Sequence, residues 1–317
     1  HWDDFGKGMR VIQKVGEQIL SAPKVKAQAC FLFPRSQYIQ FNEEYFNVGL
    51  TFELFLRAFG ELDVIHEEQI TDEKLNDYKI LILADIKMLP THVAENIEKF
   101  VSNGGVLIAD CVPQMNAYFQ PMEIMRNLFG VKSSSTDRVL QKGQWVPFSI
   151  LPPKWGHNMV ITSHPIKTLE KARGIIYEKD YNLNIVTPRN CIAANGIVVS
   201  EMENGHPLLI ERSVGNGKTF LFGFCLQDTY FQTYYSNDEL TRTNLYNLIH
   251  NVLAETGIQS HCYSSNPDME VAIRKNDKEA YVFIINHESP NAISEITIAE
   301  LGFEVDSIMD VEWERPI

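Results

Sequence analysis

The run Tyr78-Lys79-Ile80-Leu81-Ile82-Leu83 constrains this chain more than any other stretch. Four successive apolar residues leave a strand no polar face, so helices must cover it on both sides, as in a parallel sheet. The strand signal recurs at Ala27 to Phe33, Leu62 to Ile65 and Val106-Leu107-Ile108-Ala109. Between these runs the spacing is helical. One helix carries Phe46, Leu50, Leu54, Phe55 and Phe59; the next places Val93, Ile97, Phe100 and Val101 on its inner stripe. Thr91 is its expected N-cap and Gly104-Gly105 its stop.

Turn residues punctuate a weakly periodic stretch near 131–195, at Lys132-Ser133-Ser134-Ser135-Thr136, Leu151-Pro152-Pro153 and Ser163-His164-Pro165, which predicts an irregular insertion. Pro207 to Arg212 and Lys218 to Phe224 then read as a hairpin turning at Gly215-Asn216-Gly217. A last helix has capping-box spacing at Ser236-x-x-Glu239, the apolar face Leu240, Leu245, Leu248, Ile249 and Val252, and Gly257 as its stop. Beyond it, the runs Met269 to Ile273, Ala280 to Ile285 and Ile293 to Ile298 alternate like a small antiparallel β unit, with a turn at Lys275-Asn276-Asp277-Lys278. At the other end Phe5, Met9, Ile12, Val15 and Ile19 stripe a helix that stops before Pro23. That stripe fits either this chain or a preceding domain. The expected architecture is a flavodoxin-like parallel sheet over 25–257 with helices on both faces, a β unit over 258–317 and a leading helix over 1–24.

Composition excludes several function classes. With 317 residues the chain has length for about two domains. A formal net charge of −13 disfavours nucleic acid as a partner. No apolar stretch reaches the roughly 18 residues of a membrane span. The start, His1-Trp2-Asp3-Asp4-Phe5, lacks the pattern of a signal peptide and reads as a cut end, which leaves localisation open. Five scattered cysteines without a C-x-x-C pair imply neither a disulfide framework nor zinc, and no cofactor is expected.

Cys111 is the best-placed reactive residue, because it follows the fourth parallel strand, at the edge where open α/β sheets bind ligands. A nucleophile elbow would flank it with glycines, yet Ala109 and Pro113 stand there. The later histidines, His164 and His206, lack an acid two residues on; the only His-x-Glu is the earlier run His66-Glu67-Glu68. Gly215-x-Gly217-Lys218-Thr219 imitates a phosphate loop, but strand residues follow it. His157 and His164 show no metal spacing, and Asp3-Asp4, Glu43-Glu44 and Glu67-Glu68 are consecutive acids that point apart. Aromatic residues concentrate at Trp145, Phe148 and Trp155, and at Tyr230-Phe231-x-x-Tyr234-Tyr235. Such rings stack on sugar faces, fill subunit contacts or anchor loops.

The run from Tyr78 to Leu83, Met88-Leu89-Pro90, Phe100-Val101-x-x-Gly104-Gly105 and Val106 to Asp110 resembles the trimerisation domain of family-42 β-galactosidases, itself similar to class I glutamine amidotransferases. The likeness continues through Gly215-x-Gly217-Lys218 and Phe222-Gly223-Phe224, and Tyr281 to His287 resembles that family's small C-terminal β domain. The opening helix, with Val15-Gly16-Glu17, is similar to its connector from a catalytic barrel. The resemblance implies a noncatalytic scaffold that forms homo-oligomers, a trimer in that family, and borders a sugar site. No catalytic residue carries over to this chain. The alternatives are a cysteine-dependent amidotransferase or hydrolase centred on Cys111, and a carbohydrate-binding module using Trp145, Trp155, Tyr230, Phe231 and Tyr234.

Overall fold

A computed structural model describes residues 2–40, 47–135, 170–287, 293–299, 301–310 and 315–316. They fall into two units, one of residues 1–26, 59–61 and 259–317, the other of 27–58 and 62–258. The chain opens on α1 (Trp2–Ser21), part of the smaller unit.

The larger unit runs β1 (Ala29–Phe33), α2 (Arg35–Gln40), α3 (Asn47–Phe59), β2 (Leu62–His66), α4 (Asp72–Leu75), β3 (Ile80–Leu83), α5 (Thr91–Ser102), β4 (Val106–Ala109) and α6 (Glu123–Phe129). It continues with β5 (Val131–Ser133), β6 (Glu170–Ile176), β7 (Lys179–Ile185), β8 (Ile192–Ala193), β9 (Ile197–Glu201), β10 (Pro207–Val214), β11 (Gly217–Phe222), α7 (Leu226–Tyr235) and α8 (Glu239–Glu255). Its central sheet has seven strands in the order β2-β1-β3-β4-β11-β10-β9. The pairs from β2 through β11 are parallel; β11 with β10, and β10 with β9, are antiparallel. Leu81, Leu83, Leu107 and Ala109 share one core with Val93, Ile97 and Val101 of α5 and Met125, Leu128 and Phe129 of α6. The alternate residues Ile80, Ile82, Val106 and Ile108 are buried too, and Phe31 meets Phe52 of α3 edge to face at 5.7 Å. Both faces are thus covered, as the doubly apolar strands require, and each fully buried Leu or Ile contributes roughly 1.5–3 kcal/mol.

Four local expectations are corrected. Thr91 is the first helical residue of α5, and Pro90 holds the capping position without a side-chain bond. Because α7 extends to Tyr235, Ser236 becomes its C-cap, and Asp238 caps α8 instead by accepting from Thr241 N at 3.0 Å. Leu240, placed on the buried face by its spacing, is exposed. The stretch expected to be irregular contains the regular hairpin of β6 and β7. Its turn residues, Tyr177 (φ 49°) and Glu178 (φ 64°), are both left-handed. The asparagine–glycine chemistry that usually marks such a turn is missing, so the sequence pattern gave no sign of it.

In the smaller unit, β12 (Cys262–Ser264) pairs with β15 (Ile296–Ile298), and β13 (Met269–Lys275) with β14 (Ala280–Asn286), all antiparallel. Cys262, Val271 and Ile273 form its core with Val25, Ala280, Val282, Ile296 and Leu301. Arg274 donates from Nε to the carbonyls of Ile19 (3.0 Å) and Ala22 (2.8 Å), which sets a cation on the C-terminal end of α1. Gly60 (φ 87°) lies so close to Cys262 that a Cβ would sit 2.2 Å from its carbonyl oxygen. Along α1, Trp2, Phe5, Met9, Ile12 and Leu20 remain exposed.

Candidate functional site

The carboxyl ends of β3 and β4 are paired at Leu83 and Ala109, so the chain delivers Asp85 and Asp110 side by side just beyond the sheet. Arg189 comes from the turn after β7 and enters between them. Its guanidinium pairs with Asp85 Oδ1 and donates from Nε to Asp110 O at 3.3 Å. Asp110 in turn accepts from Asp85 N (2.6 Å) and Leu226 N (2.9 Å), which ties the start of α7 to the end of β4. Gln37 holds the next layer by donating to Asp85 O (2.9 Å) and accepting from Lys87 N (2.6 Å). Thr187, with φ 56°, donates to Asp228 Oδ2 at 2.7 Å.

All three charged groups are buried. Burial pushes the Asp110 carboxyl up to about 6; the Asp85 charge adds to this, and Arg189 and the two amide donors oppose it. Burial is the largest influence on the Arg189 charge and works against it, but Asp85, with Cys111, Cys225 and Asp110 adding to it, holds the guanidinium well above its ordinary value. The cluster therefore acts as a charge lock for the strand ends, its three charged side chains buried.

Cys111 lies within the reach of these charges and is fully buried, its sulfur 4.0 Å from Val112 O. Burial pushes the thiol up to about 12, so it keeps its proton at neutral pH. His66-Glu67-Glu68 ends β2: Glu67 accepts from Ser36 N (3.0 Å) and Ser36 Oγ (2.5 Å), and Glu68 pairs with Arg35 at 2.6 Å. Burial raises the Glu67 pKa, and the Ser36 hydrogen bonds oppose that rise.

Of the aromatic candidates, Tyr230 and Tyr234 stand one turn apart on α7 and come together. Their hydroxyls are 2.9 Å apart and their rings meet edge to face at 5.2 Å. Arg57 of α3 donates to Tyr234 Oη at 3.2 Å, and Arg242 of α8 lies 4.7 Å over the Tyr234 ring. Tyr230 is buried, while Phe231 and Tyr234 are half-buried. Trp145, Phe148 and Trp155 lie outside the described residues. Among the described residues, no group of three or more His, Cys, Asp or Glu gathers to hold a metal ion, and no helix is long and apolar enough to cross a membrane.

The sequence reading missed Asp85, Asp110 and Arg189. An aspartate ending each of two apolar strands was a readable signal for the first two; nothing local marks Arg189.

No family model matches the chain. It is 22% identical over 290 residues to a beta-1,2-glucosyltransferase of Ignavibacterium album, covering 90% of this chain and 34% of that protein. Among solved structures it is similar to a β-galactosidase from Bacillus circulans sp. alkalophilus (18% identity, TM-score 0.61, 97% of this chain and 41% of that one). It is also similar to the GH42 β-galactosidase Gan42B of G. stearothermophilus (13%, TM-score 0.58, 93% and 38%). A third likeness is to alpha-L-fucosidase isoenzyme 2 of Paenibacillus thiaminolyticus (10%, TM-score 0.56, 91% and 42%). The fold is thus that of a region of GH42 β-galactosidases, and the chain spans about a third to two fifths of the proteins it matches.

Proposed function

We propose that this chain is the noncatalytic scaffold region of a larger β-galactosidase-like glycoside hydrolase, one that assembles subunits and lends its edge to a sugar site. The observation that carries the reading is the fold likeness over nearly the whole chain to less than half of each β-galactosidase. The parallel order β2-β1-β3-β4-β11 supports a flavodoxin-like, amidotransferase-like assignment of 25–257, since the doubly wound order is 2-1-3-4-5. The exposed apolar stripe of α1 supports 1–24 as a connector, and 258–317 completes the region as a small β domain. The buried, protonated Cys111 favours a scaffold over a thiol enzyme.

A second reading, in which the parent protein transfers glucosyl units, draws on the match to the glucosyltransferase across 90% of the chain. Assays of this chain on chromogenic glycosides and on glucosyl acceptors should show no turnover, whereas the product of the whole gene should show one or the other. Turnover by this chain alone, abolished by substituting one of its own carboxylates, would sink the scaffold reading. Sedimentation should show self-association; a strict monomer at high concentration counts against the assembly role.

A further inference from the structure

Beyond Cys111 the chain leaves the core in one tight loop. Met122 N donates to Gln114 O (2.8 Å), Asn116 N to Gln120 O (2.8 Å) and Phe119 N to Asn116 O (2.9 Å). Asn116 Oδ1 accepts from the amides of Tyr118 (2.9 Å) and Gln120 (3.1 Å), and Asn116 Nδ2 reaches Gln120 Oε1 at 3.2 Å. Met115 bridges both Met88 and Pro121, so the loop is fastened at its base as well. At the tip of this brace Tyr118 is 83% exposed and Phe119 56%. Phe119 has φ 59°, a conformation a bulky residue keeps only when its surroundings impose it.

We propose that Tyr118 and Phe119 form a carbohydrate platform that stacks on the apolar C–H face of a pyranose ring in a neutral β-linked oligosaccharide. Three features select this occupant. No residue from Gln114 to Met122 is charged, in a chain whose formal net charge is −13, so the loop suits a neutral ligand. The two adjacent rings are flanked by Asn116, held within the brace, and by Gln120, whose amide sets a hydroxyl-bonding group beside flat apolar area for the ring face. Two exposed rings also offer on the order of 300 Å². A stable protein interface needs about 800 Å² from each partner, so the tip fits one or two sugar rings better than a second subunit.

The inference rests on the carbohydrate reading above, and its test separates the two. The 317-residue chain is titrated by calorimetry with a β-1,2-linked glucose disaccharide and, separately, a β-1,4-linked galactose disaccharide. Binding is expected to at least one, weakened about tenfold by Tyr118→Ala and retained within about twofold by Tyr118→Phe. Phe119→Gly removes the second ring while accommodating the backbone, and should weaken binding without lowering the melting temperature. Three results would each overturn the platform: no binding to either sugar, binding indifferent to Tyr118→Ala, or loss of self-association in Tyr118→Ala with sugar binding unchanged. Glycoside turnover by the whole gene product in the face of any of these leaves the broader reading standing, and its absence removes that reading whatever the tip binds.

Discussion

Arg189 shows how much one side chain decides here, because it lies buried between Asp85 and Asp110 and removing it would strand both acids. Arg189→Met should destabilise the chain by about 3–5 kcal/mol, read as a fall in the urea midpoint at pH 7. Asp110 has the opposite pH signature to a carboxylate stabilised by its partners. Its folded pKa is raised, to about 6, so its contribution to stability is full below the ordinary aspartate range and is lost as pH rises through about 6. Asp110→Asn should flatten that part of the stability curve, and an unchanged curve would show that the pair titrates elsewhere. Cys111 should resist iodoacetamide at neutral pH until the chain is unfolded; rapid labelling of the native chain would restore the thiol-enzyme alternative. The two aspartates were legible as polar endings of apolar strands. Arg189 was not, since it reaches across 104 positions to Asp85 and 79 to Asp110.

Elements form where local pattern and packing agree. The strands of the sheet stand close to their predicted places because continuous apolar runs have no other way to be buried. Capping followed a different rule: Ser236 had the right spacing, but α7 used it as its own end and left Asp238 to start α8. Asp238 also accepts from Asn184 Nδ2 (2.8 Å) and Thr241 Oγ1 (2.7 Å). Partial burial pushes its pKa up, but these hydrogen bonds outweigh that and hold it low. Asp238→Ala should cost about 1–2 kcal/mol at pH 7, and the difference should shrink as pH falls through the depressed pKa of Asp238. The β6–β7 turn invites a gain instead. Glycine relieves the left-handed Glu178, so Glu178→Gly should raise stability by about 1 kcal/mol, seen as a higher melting temperature.

At the scale of the whole molecule, the apolar stripe of α1 has no counterpart in what ordinary folding stability requires. Replacing Phe5 and Ile12, 61% and 60% exposed, with serine should change unfolding free energy by no more than about 0.5 kcal/mol each. If α1 docks on further protein, the same double substitution should lower self-association of this chain in sedimentation or loosen the parent protein. Unchanged assembly in both would leave the stripe without that role. Periodicity and glycine placement alone determined that an α/β sheet with a hairpin edge and a small β unit would form, because those signals act between residues close in sequence. Only the tertiary structure decided that Cys111 keeps its proton, that Arg189 locks the strand ends and that Tyr118 stands in water. Burial and charge contact depend on segments far apart in the chain coming together, and no local pattern records that approach.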